Sequence, residues 1–424
     1  MSATDPHHAT HRTIEAVWRI ESSRVIAGLT RLTRDVGLAE DLAQEALVAA
    51  LEQWPQSGVP DNPAAWLTAT AKRRAIDLFR RNAVAERKHE ELARKLETLE
   101  QIVPDLNPSP DNTISDDLLR LVFISCHPVL STESRAALTL RLLGGLTTDE
   151  IARAFLTPEP TIAQRIVRAK RTLADKHIPF EVPRGPELAA RLPSVLEVIY
   201  LIFNEGYSAT AGDDLMRPTL CEDALRLGRI LAELTPNEPE VHGLLALMEI
   251  QASRTRARIS PTGEPILLLE QNRAHWDFLL IHRGLTAIDR AHKTSKSRGP
   301  YLLQAEIAAC HARARTPEET DWPRIVSLYT ELAQLTPSPI VELNRAVAVS
   351  MVCGPQAAHD LIEALATDPS LDRYHLLPSV RADLLYKLGR YPEARYYFEQ
   401  AAALTRNTRE RALLLNRAAA CQTK

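Results

Sequence analysis

The chain has little of what disulfide frameworks, metal sites and membrane spans require. Its few cysteines are far apart and form no C-x-x-C pair. This spacing favours buried thiols in a reducing cytoplasm over a disulfide framework or a zinc site. No apolar run approaches the roughly 20 residues that cross a bilayer, and the polar N-terminus does not resemble a signal peptide. We therefore expect a cytoplasmic protein with no membrane contact, no metal and no cofactor.

Strand signals are also nearly absent. Leu, Ala, Glu and Arg recur at spacings of three and four, and prolines and glycines fall between these runs. This pattern predicts an all-α fold. A chain of 424 residues is too long for one ordinary core, so we expect two or three domains.

Two proline-containing breaks suggest where the domains end. The stretch Ile102–Asn112 holds three prolines and two asparagines, and the stretch Pro179–Pro186 holds three prolines. We predict a first domain over residues 1–92, a linker over 93–115, a second domain over 116–178 and a C-terminal region over 184–424.

A net charge of -3 conceals strong local segregation of charge. From Asp35 to Gln53 there are five acidic residues and no basic one. From Lys72 to Lys88 seven residues are basic and two acidic, and from Thr161 to Lys176 five are basic and one acidic. One acidic helix followed by two basic ones suggests a protein-binding surface and two nucleic-acid surfaces. Solvated helix faces would explain the charges equally well.

The first domain contains an acidic helix followed by a basic, aromatic one. Residues 38–54 place apolar side chains on one face, with Asp41 and Glu45 together on the acidic side. Asn62 is the predicted N-cap of the next helix, with Pro63 at its first position. In that helix Trp66 and other apolar residues alternate with Lys and Arg, which suits contact with phosphates and unstacked bases.

The second domain has the pattern of a helix-turn-helix. A helix over Ser131–Leu143 should end at two glycines, and Thr147 and Glu150 have the spacing of a capping box that starts the next helix. A third helix is predicted over Pro158–Lys176. Five apolar residues should pack the motif: Ile151, Ala152, Ile162, Ile166 and Leu173. Polar side chains of the third helix are then left on or near exposed faces, where Arg and Gln read base edges.

The order of these elements resembles the extracytoplasmic-function sigma factors, which direct RNA polymerase to promoters. AEDLAQEAL and NPAAWLTATAKRRAIDLFRR resemble region 2 of that family, and EIA and RAKRTL resemble parts of region 4. The resemblance implies that Asp41 and Glu45 bind core RNA polymerase. It also implies two sets of contacts with promoter DNA. Those to the −10 element are Asn62, Trp66, Lys72, Arg73, Arg74, Arg80 and Arg81, and those to the −35 element are Thr161, Gln164, Arg165, Arg168 and Lys170.

The C-terminal region carries a faint repeat. The phrase Leu-Thr-Pro occurs at residues 234–236 and 335–337, which are 101 residues apart and close to three times the tetratricopeptide period of about 34. Near the end, Gly389 should make a tight turn, Ala394 and Ala401 should let helices approach, and Phe398 should fill the groove between them. We predict a tetratricopeptide-like domain, with an irregular helical bundle as the alternative. Its surface is a candidate site for a further protein partner.

The segment YLIFNEGY, residues 200–207, begins this region. It resembles the segment after region 4 in a subgroup of these sigma factors that carry a tetratricopeptide-like extension. We predict that Phe203, Asn204, Glu205 and Tyr207 form an interdomain or regulatory contact, and that the helix ends with Gly206 in a left-handed turn. An acid–base pair of Glu205 and Tyr207 would lack a second carboxylate, a metal cluster or a phosphate loop.

Two other classes of function remain open. One is a repeat scaffold whose helix-turn-helix binds DNA as an ordinary repressor. Such a protein would not require the acidic helix of the first domain or the basic, aromatic helix that follows it. An enzyme with a helical regulatory domain would need a catalytic constellation, and the sequence offers none. We therefore expect a sigma factor and not an enzyme.

Overall fold

The computed structural model of the chain describes residues 6–86, 111–155, 157–209, 211–261, 263–295 and 297–422. Those residues are predominantly helical, with one pair of two-residue strands, which confirms the all-α prediction. The chain divides into two compact parts, Met1–Ile199 and Tyr200–Lys424, which we call the N-terminal unit and the C-terminal unit. No helix in the described ranges is long and apolar enough to cross a membrane.

Three long helices begin the N-terminal unit. They are α1 (Pro6–Thr33), α2 (Val36–Ser57) and α3 (Pro63–Glu86). The Asp35 side chain accepts a hydrogen bond from the amide of Leu38 and so caps α2. The apolar face predicted for α2 is buried at Leu42, Ala43, Ala46, Ala50 and Trp54. This face packs on α1 and α3 and forms the core of the first bundle.

Four further helices form the second bundle. They are α4 (Asp111–Ser125), α5 (Thr132–Thr139), α6 (Thr148–Ala154) and α7 (Glu159–Asp175). The predicted helix over Ser131–Leu143 is capped by Ser131, but its last turn, Leu140–Gly144, is a π-helix that ends at Gly145 in a left-handed conformation. Most of the predicted linker lies outside the described residues, and residues 111–115 are already part of α4.

The two bundles pack against each other inside the N-terminal unit, chiefly through α1 and α4. Asp117 on α4 is 4% exposed, and its carboxylate lies 3.1 Å from Arg31 of α1 and 2.6 Å from Arg120. The first part of α8 (Pro186–Tyr207) also belongs to this unit. There Arg191 donates to the carbonyl of Phe123 at 2.7 Å, so α8 covers one end of α4.

The C-terminal unit takes in the end of α8 and a series of helices that pack in sequential order. They are α9 (Pro218–Leu234), α10 (Pro239–Ala252), α11 (Phe278–Thr294), α12 (Pro300–Arg313), α13 (Trp322–Leu335), α14 (Pro339–Cys353), α15 (Pro355–Leu365), α16 (Leu376–Lys387), α17 (Tyr391–Leu404) and α18 (Thr408–Ala420). Short 3-10 turns occur between several of them.

Both copies of the Leu-Thr-Pro motif occupy the same structural position, at the C-terminal end of a helix. Thr235 and Thr336 follow the last residues of α9 and α13, and each amide donates to a leucine carbonyl four residues earlier. In both places the next helix begins at a nearby proline, Pro239 or Pro339. The predicted turn at Gly389 is also present, with φ +78°, and Ala394, Ala401 and Phe398 are buried in the core beside it. These observations support a repeat of helix pairs.

A buried carboxylate joins three of these helices. Glu306 of α12 is 7% exposed. It lies 2.9 Å from His292 of α11 and 3.0 Å from both Arg298, which precedes α12, and Arg324 of α13. A carboxylate removed from water requires such partners, so this cluster fixes neighbouring helices to one another.

The two ends of the C-terminal unit are joined by a short pair of parallel strands. β1 (Ala211–Gly212) pairs with β2 (Arg406–Asn407). The side-chain amide of Asn407, which is fully buried, donates to the carbonyls of Ala209 and Asp214. Its side-chain oxygen accepts from the amides of Arg409 and Glu410 in the first turn of α18. We call this contact the clasp.

The left-handed turn predicted at Gly206 is wrong. Gly206 lies inside α8, which continues to Tyr207, and its φ is not positive. A Cβ atom placed there would lie 2.7 Å from the amide nitrogen of Cys221. Glycine is therefore required because the backbone of α9 passes very close, not because the helix ends.

A similar close approach generates a prediction about stability. A Cβ atom at Gly243 of α10 would lie 2.6 Å from the amide nitrogen of Leu302 on α12. Because a backbone atom cannot move aside cheaply, Gly243→Ala should lower the free energy of unfolding by about 1–3 kcal/mol. Gly28→Ala is the matched control, since its Cβ would meet nothing within 4 Å in α1. It should stabilise by up to about 1 kcal/mol through helix propensity. Urea denaturation of both variants measures the difference, and equal stability would contradict the close crossing.

Candidate functional site

The acidic surface of α2 is exposed but has basic neighbours. The side chains of Asp41 and Glu45 are 73% and 55% exposed. Glu45 lies 2.8 Å from Arg74 of α3, and Asp41 lies 3.8 Å from the Nζ atom of Lys170 on α7. Although residues 35–53 contain no basic residue, other helices thus place one beside each of the two carboxylates. Both remain accessible to a further partner because exposed pairs of this kind are weak.

The start of α3 forms as the sequence predicts. The side-chain oxygen of Asn62 accepts from the amide of Ala65 at 3.0 Å, and the helix begins at Pro63. One turn later Trp66 packs edge-on against the buried Trp54, with ring centroids 5.3 Å apart. The indole of Trp66 is thereby held in a fixed position at the surface between α2 and α3.

A pocket of about 280 Å³ opens beside Trp66. Its walls come from one face of α2 and one face of α3, and combine an aromatic ring, small residues and polar groups: Ala49, Gln53, Trp66, Ala69, Thr70, Arg73, Arg74 and Asp77. Such a combination could hold a flat, polar molecule, with the indole against its face and the polar groups at its edge.

The basic residues of α3 do not all face solvent. Arg73, Arg80 and Arg81 are exposed, whereas Lys72 is half-buried on the side of α3 that faces α1 and α4. Burial lowers the pKa of Lys72, the Arg31 guanidinium lowers it further, and the Asp117 carboxylate opposes both effects. Lys72 therefore contributes to the packing of the N-terminal unit and is less accessible to DNA than the neighbouring arginines.

The helix-turn-helix is present, and its capping box is complete. The hydroxyl of Thr147 accepts from the amide of Glu150 at 3.1 Å, and the Glu150 carboxylate accepts from the amide of Thr147 at 2.8 Å. The five apolar residues predicted to pack the motif are all buried. They fix α7 against α5 and α6 and leave one side of α7 free of protein within the N-terminal unit.

The free side of α7 carries most of the predicted DNA contacts. Thr161, Gln164 and Arg168 are exposed, and Arg165 is half-buried. Lys170 differs, because its side chain is only 18% exposed. It therefore lies at the border of the exposed side predicted for it, since its ammonium group is paired with a buried carboxylate on α2, that of Glu40.

Glu40 is a residue whose importance the sequence reasoning missed. It is 3% exposed, and its carboxylate is paired with Lys170, with Arg141 at 2.5 Å and with Gln44 at 3.1 Å. A sequence signal was available. Glu40 lies four residues after Val36 and three before Ala43, on the apolar stripe of α2, where a charged residue must have a partner.

The YLIFNEGY residues have specific partners inside the C-terminal unit. Phe203 is fully buried and stacks on Tyr207 with ring centroids 5.6 Å apart. The Glu205 carboxylate is 8% exposed and paired with Arg217. The guanidinium of Arg258 lies over the ring of Tyr207 at 3.6 Å from its centroid. Of the four predicted residues, Asn204 is exposed, Tyr207 is half-buried, and Phe203 and Glu205 are buried.

Three protein-family models match successive parts of the chain. Residues 19–84 match Sigma-70 region 2, and residues 120–173 match Sigma-70, region 4. Residues 191–292 match a family of unknown function, DUF6596. The two sigma matches cover the first and second bundles of the N-terminal unit. Region 2 followed by region 4 defines a sigma-70-type transcription factor.

Individual relatives narrow the class. The chain is 31% identical over 156 residues to the ECF RNA polymerase sigma factor SigK of Mycobacterium ulcerans (strain Agy99). The aligned residues make up 36% of this chain and 78% of that protein. The chain is also 28% identical over 158 residues to the ferric citrate uptake sigma factor FecI of Escherichia coli (strain K12), of which it covers 86%. The chain belongs to the ECF RNA polymerase sigma factor family.

The C-terminal unit also has a counterpart in another protein. An uncharacterized protein of Rhizobium meliloti (strain 1021) is 43% identical to this chain over 392 residues, which is 92% of each. The similarity therefore extends well beyond the two sigma regions and through most of the C-terminal unit.

Proposed function

We propose that this protein binds core RNA polymerase through the acidic surface of α2 and directs it to promoters through α3 and α7. The observation that carries the proposal is the combination found in the N-terminal unit. Exposed carboxylates on α2 lie beside a basic, aromatic surface on α3, and a helix-turn-helix presents Gln and Arg side chains on one free side of α7. The two basic surfaces suit the −10 and −35 elements of a promoter.

At the −10 element, the pocket beside Trp66 would receive an unstacked base of the non-template strand. Aromatic rings bind bases through their faces, and the pocket edge offers Gln53, Thr70 and Arg73 for hydrogen bonds. Asn62, Arg74, Arg80 and Arg81 would contact the strand on either side. Lys72, being half-buried, would act mainly through the local positive potential.

At the −35 element, α7 would enter the major groove. The side chains of Gln164, Arg165 and Arg168 lie on or beside its free side, where they could reach base edges, and Thr161 near its N-terminus could contact a phosphate. Lys170 could join them only after leaving Glu40.

The proposed polymerase contact is tested by charge reversal on α2. Asp41→Lys with Glu45→Lys should weaken core-polymerase binding at least tenfold, because two attractive charges become repulsive. The change should alter the free energy of unfolding by less than about 1 kcal/mol, since both side chains are exposed. Pull-down and fluorescence titration with core polymerase provide the measurement. Glu233→Lys with Glu264→Lys, two exposed carboxylates of the C-terminal unit, is a control of equal charge change. Unaltered binding by the α2 variant would contradict this contact.

The proposed −35 contact is tested on α7. Loss of one good bidentate base contact should cost about 1–3 kcal/mol of binding free energy and relax preference at one base position. Alanine at Gln164, Arg165 and Arg168, singly and together, should therefore flatten the profile of binding across a promoter library with systematically varied −35 bases. Arg171→Ala is the control, since Arg171 is 81% exposed on the same helix and pairs only weakly with Asp175. If the triple variant bound every sequence less tightly by the same factor, these residues would contact phosphates alone.

We further propose that the C-terminal unit controls when the sigma regions act, through α8 and the residues Phe203, Asn204, Glu205 and Tyr207. Two observations support this. The first part of α8 is held by region 4 through Arg191, and its last part is held by Arg217 and Arg258 of the C-terminal unit. A change of ligand or partner on the repeat helices could thus act on α8 directly. A passive adaptor that recruits another protein is the alternative.

Transcription with purified core polymerase and no other factor distinguishes regulator from adaptor. A chain that ends at Ile199 keeps the contacts of α8 with region 4, and a full-length Glu205→Ala, Tyr207→Ala variant loses the pairing with Arg217 and the ring beneath Arg258. If the C-terminal unit is a regulator, both should alter run-off transcription at least threefold in the same direction. Thermal unfolding of each variant checks that the N-terminal unit is intact. Transcription equal to that of the full chain in both cases would favour the adaptor.

A further inference from the structure

Glu40 connects the surface proposed for polymerase to the helix proposed for DNA. Its buried carboxylate is held by Lys170 of α7 and by Arg141 of the π-helical turn. The stem of Lys170 lies against the first turn of α2. A Cβ atom placed on Gly37 would be 3.6 Å from Cδ and 3.9 Å from Cβ of Lys170. Region 4 therefore covers the start of α2 at the edge of the acidic surface.

Two other ion pairs join the same two bundles. Arg19 of α1 lies 2.9 Å from Glu150 of α6, and Arg31 of α1 lies 3.1 Å from Asp117 of α4. The Arg19 pair is exposed, so it contributes little, whereas the Glu40 and Asp117 carboxylates are almost fully buried. We call this packing of region 4 on region 2 the closed arrangement.

The closed arrangement hides one charged side chain on each bundle, and at Lys170 this conflicts with the proposed function. Lys170 cannot contact DNA while its ammonium group is paired with Glu40. Glu40 cannot meet another protein while it is 3% exposed beneath α7. Both side chains become accessible together if α7 moves away from α2.

We propose that Glu40 is a third polymerase-binding carboxylate, masked in the free protein by Lys170 and Arg141. When region 4 moves, Glu40 joins Asp41 and Glu45 on the acidic surface and exchanges its two intramolecular cations for basic residues of the polymerase. The release of Lys170 then adds a cation to the DNA-binding side of α7. This inference rests on the proposed function and adds to it a residue and an order of events.

The physical reason for this order is the cost of an unpaired carboxylate. In the closed arrangement Glu40 is 3% exposed and paired with two cations, so moving region 4 away breaks both pairs and leaves the carboxylate without a cation. Opening is therefore unfavourable until a basic partner arrives. Core polymerase would supply that partner, and Lys170 would become available for DNA only in its presence.

A disulfide across this contact tests the proposal in the full-length chain. Cysteines at Gly37 and Lys170 would have Cβ atoms 3.9 Å apart, which lies within the roughly 3.5–4.5 Å that a disulfide requires. Cys353→Ser removes the exposed native thiol. We expect the disulfide to form in the chain alone. The oxidised protein should bind core polymerase at least tenfold more weakly than the same protein after reduction. Because both forms lack Lys170, the comparison isolates the closed arrangement.

Two outcomes would overturn the inference. Cysteines that fail to cross-link in the free protein would exclude the closed arrangement, and equal core binding before and after reduction would show that it is compatible with polymerase. A full-length chain of unaltered sequence that binds no core polymerase would instead overturn the proposed function itself.

Single substitutions separate the two roles of Glu40 without any cross-link. Lys170→Gln removes one masking cation and leaves Glu40 in place, so core binding should become at least threefold tighter. Glu40→Gln loosens the same contact but removes the carboxylate, so it should bind core polymerase more weakly than Lys170→Gln does. If the two variants bound equally, Glu40 would have no role at the polymerase surface. Thermal unfolding of both variants shows whether they are folded at the assay temperature.

Discussion

A carboxylate that is removed from water must keep a cation beside it, and the packing of this protein depends on that constraint. Glu40 and Asp117 are almost fully buried between the two bundles of the N-terminal unit, and each binds cations from more than one helix. Glu306 does the same among three segments of the C-terminal unit. Helices of ordinary apolar composition could pack in several registers. A buried charge restricts them to the register in which its partners meet.

The burial of apolar faces explains why the functional surfaces are exposed where they are. The apolar face of α2 is buried in the core of the first bundle, so Asp41 and Glu45 on the other side remain at the surface. The apolar residues of α6 and α7 are buried in the core of the helix-turn-helix, and Gln164 and Arg168 remain exposed to solvent. Recognition residues are thus those that the packing of each bundle does not use. Two lysines are exceptions, because Lys170 is paired with a carboxylate on the other bundle and Lys72 is half-buried where α3 faces α1 and α4.

Features set by near neighbours in the chain could be predicted from the sequence. The caps at Asn62 and Thr147, the start of α3 at Pro63 and the turn at Gly389 all follow from side chains a few residues apart. The pairing of Glu40 with Arg141 and Lys170 could not, because its members are more than a hundred residues apart and no local pattern joins them. The need for glycine at position 206 could not be predicted either, since it arises from the backbone of Cys221 on the next helix.

The clasp has a consequence for how the chain is made. Its two strands, at residues 211–212 and 406–407, are separated by nearly half of the sequence. At a synthesis rate of about 5–20 residues per second, roughly 10–40 seconds pass between the emergence of the first strand and that of the second. Throughout that interval the N-terminal unit has left the ribosome and can fold, while Ala209 and Asp214 still lack the amide of Asn407. Each newly made molecule is thus a sigma module before its C-terminal unit is closed.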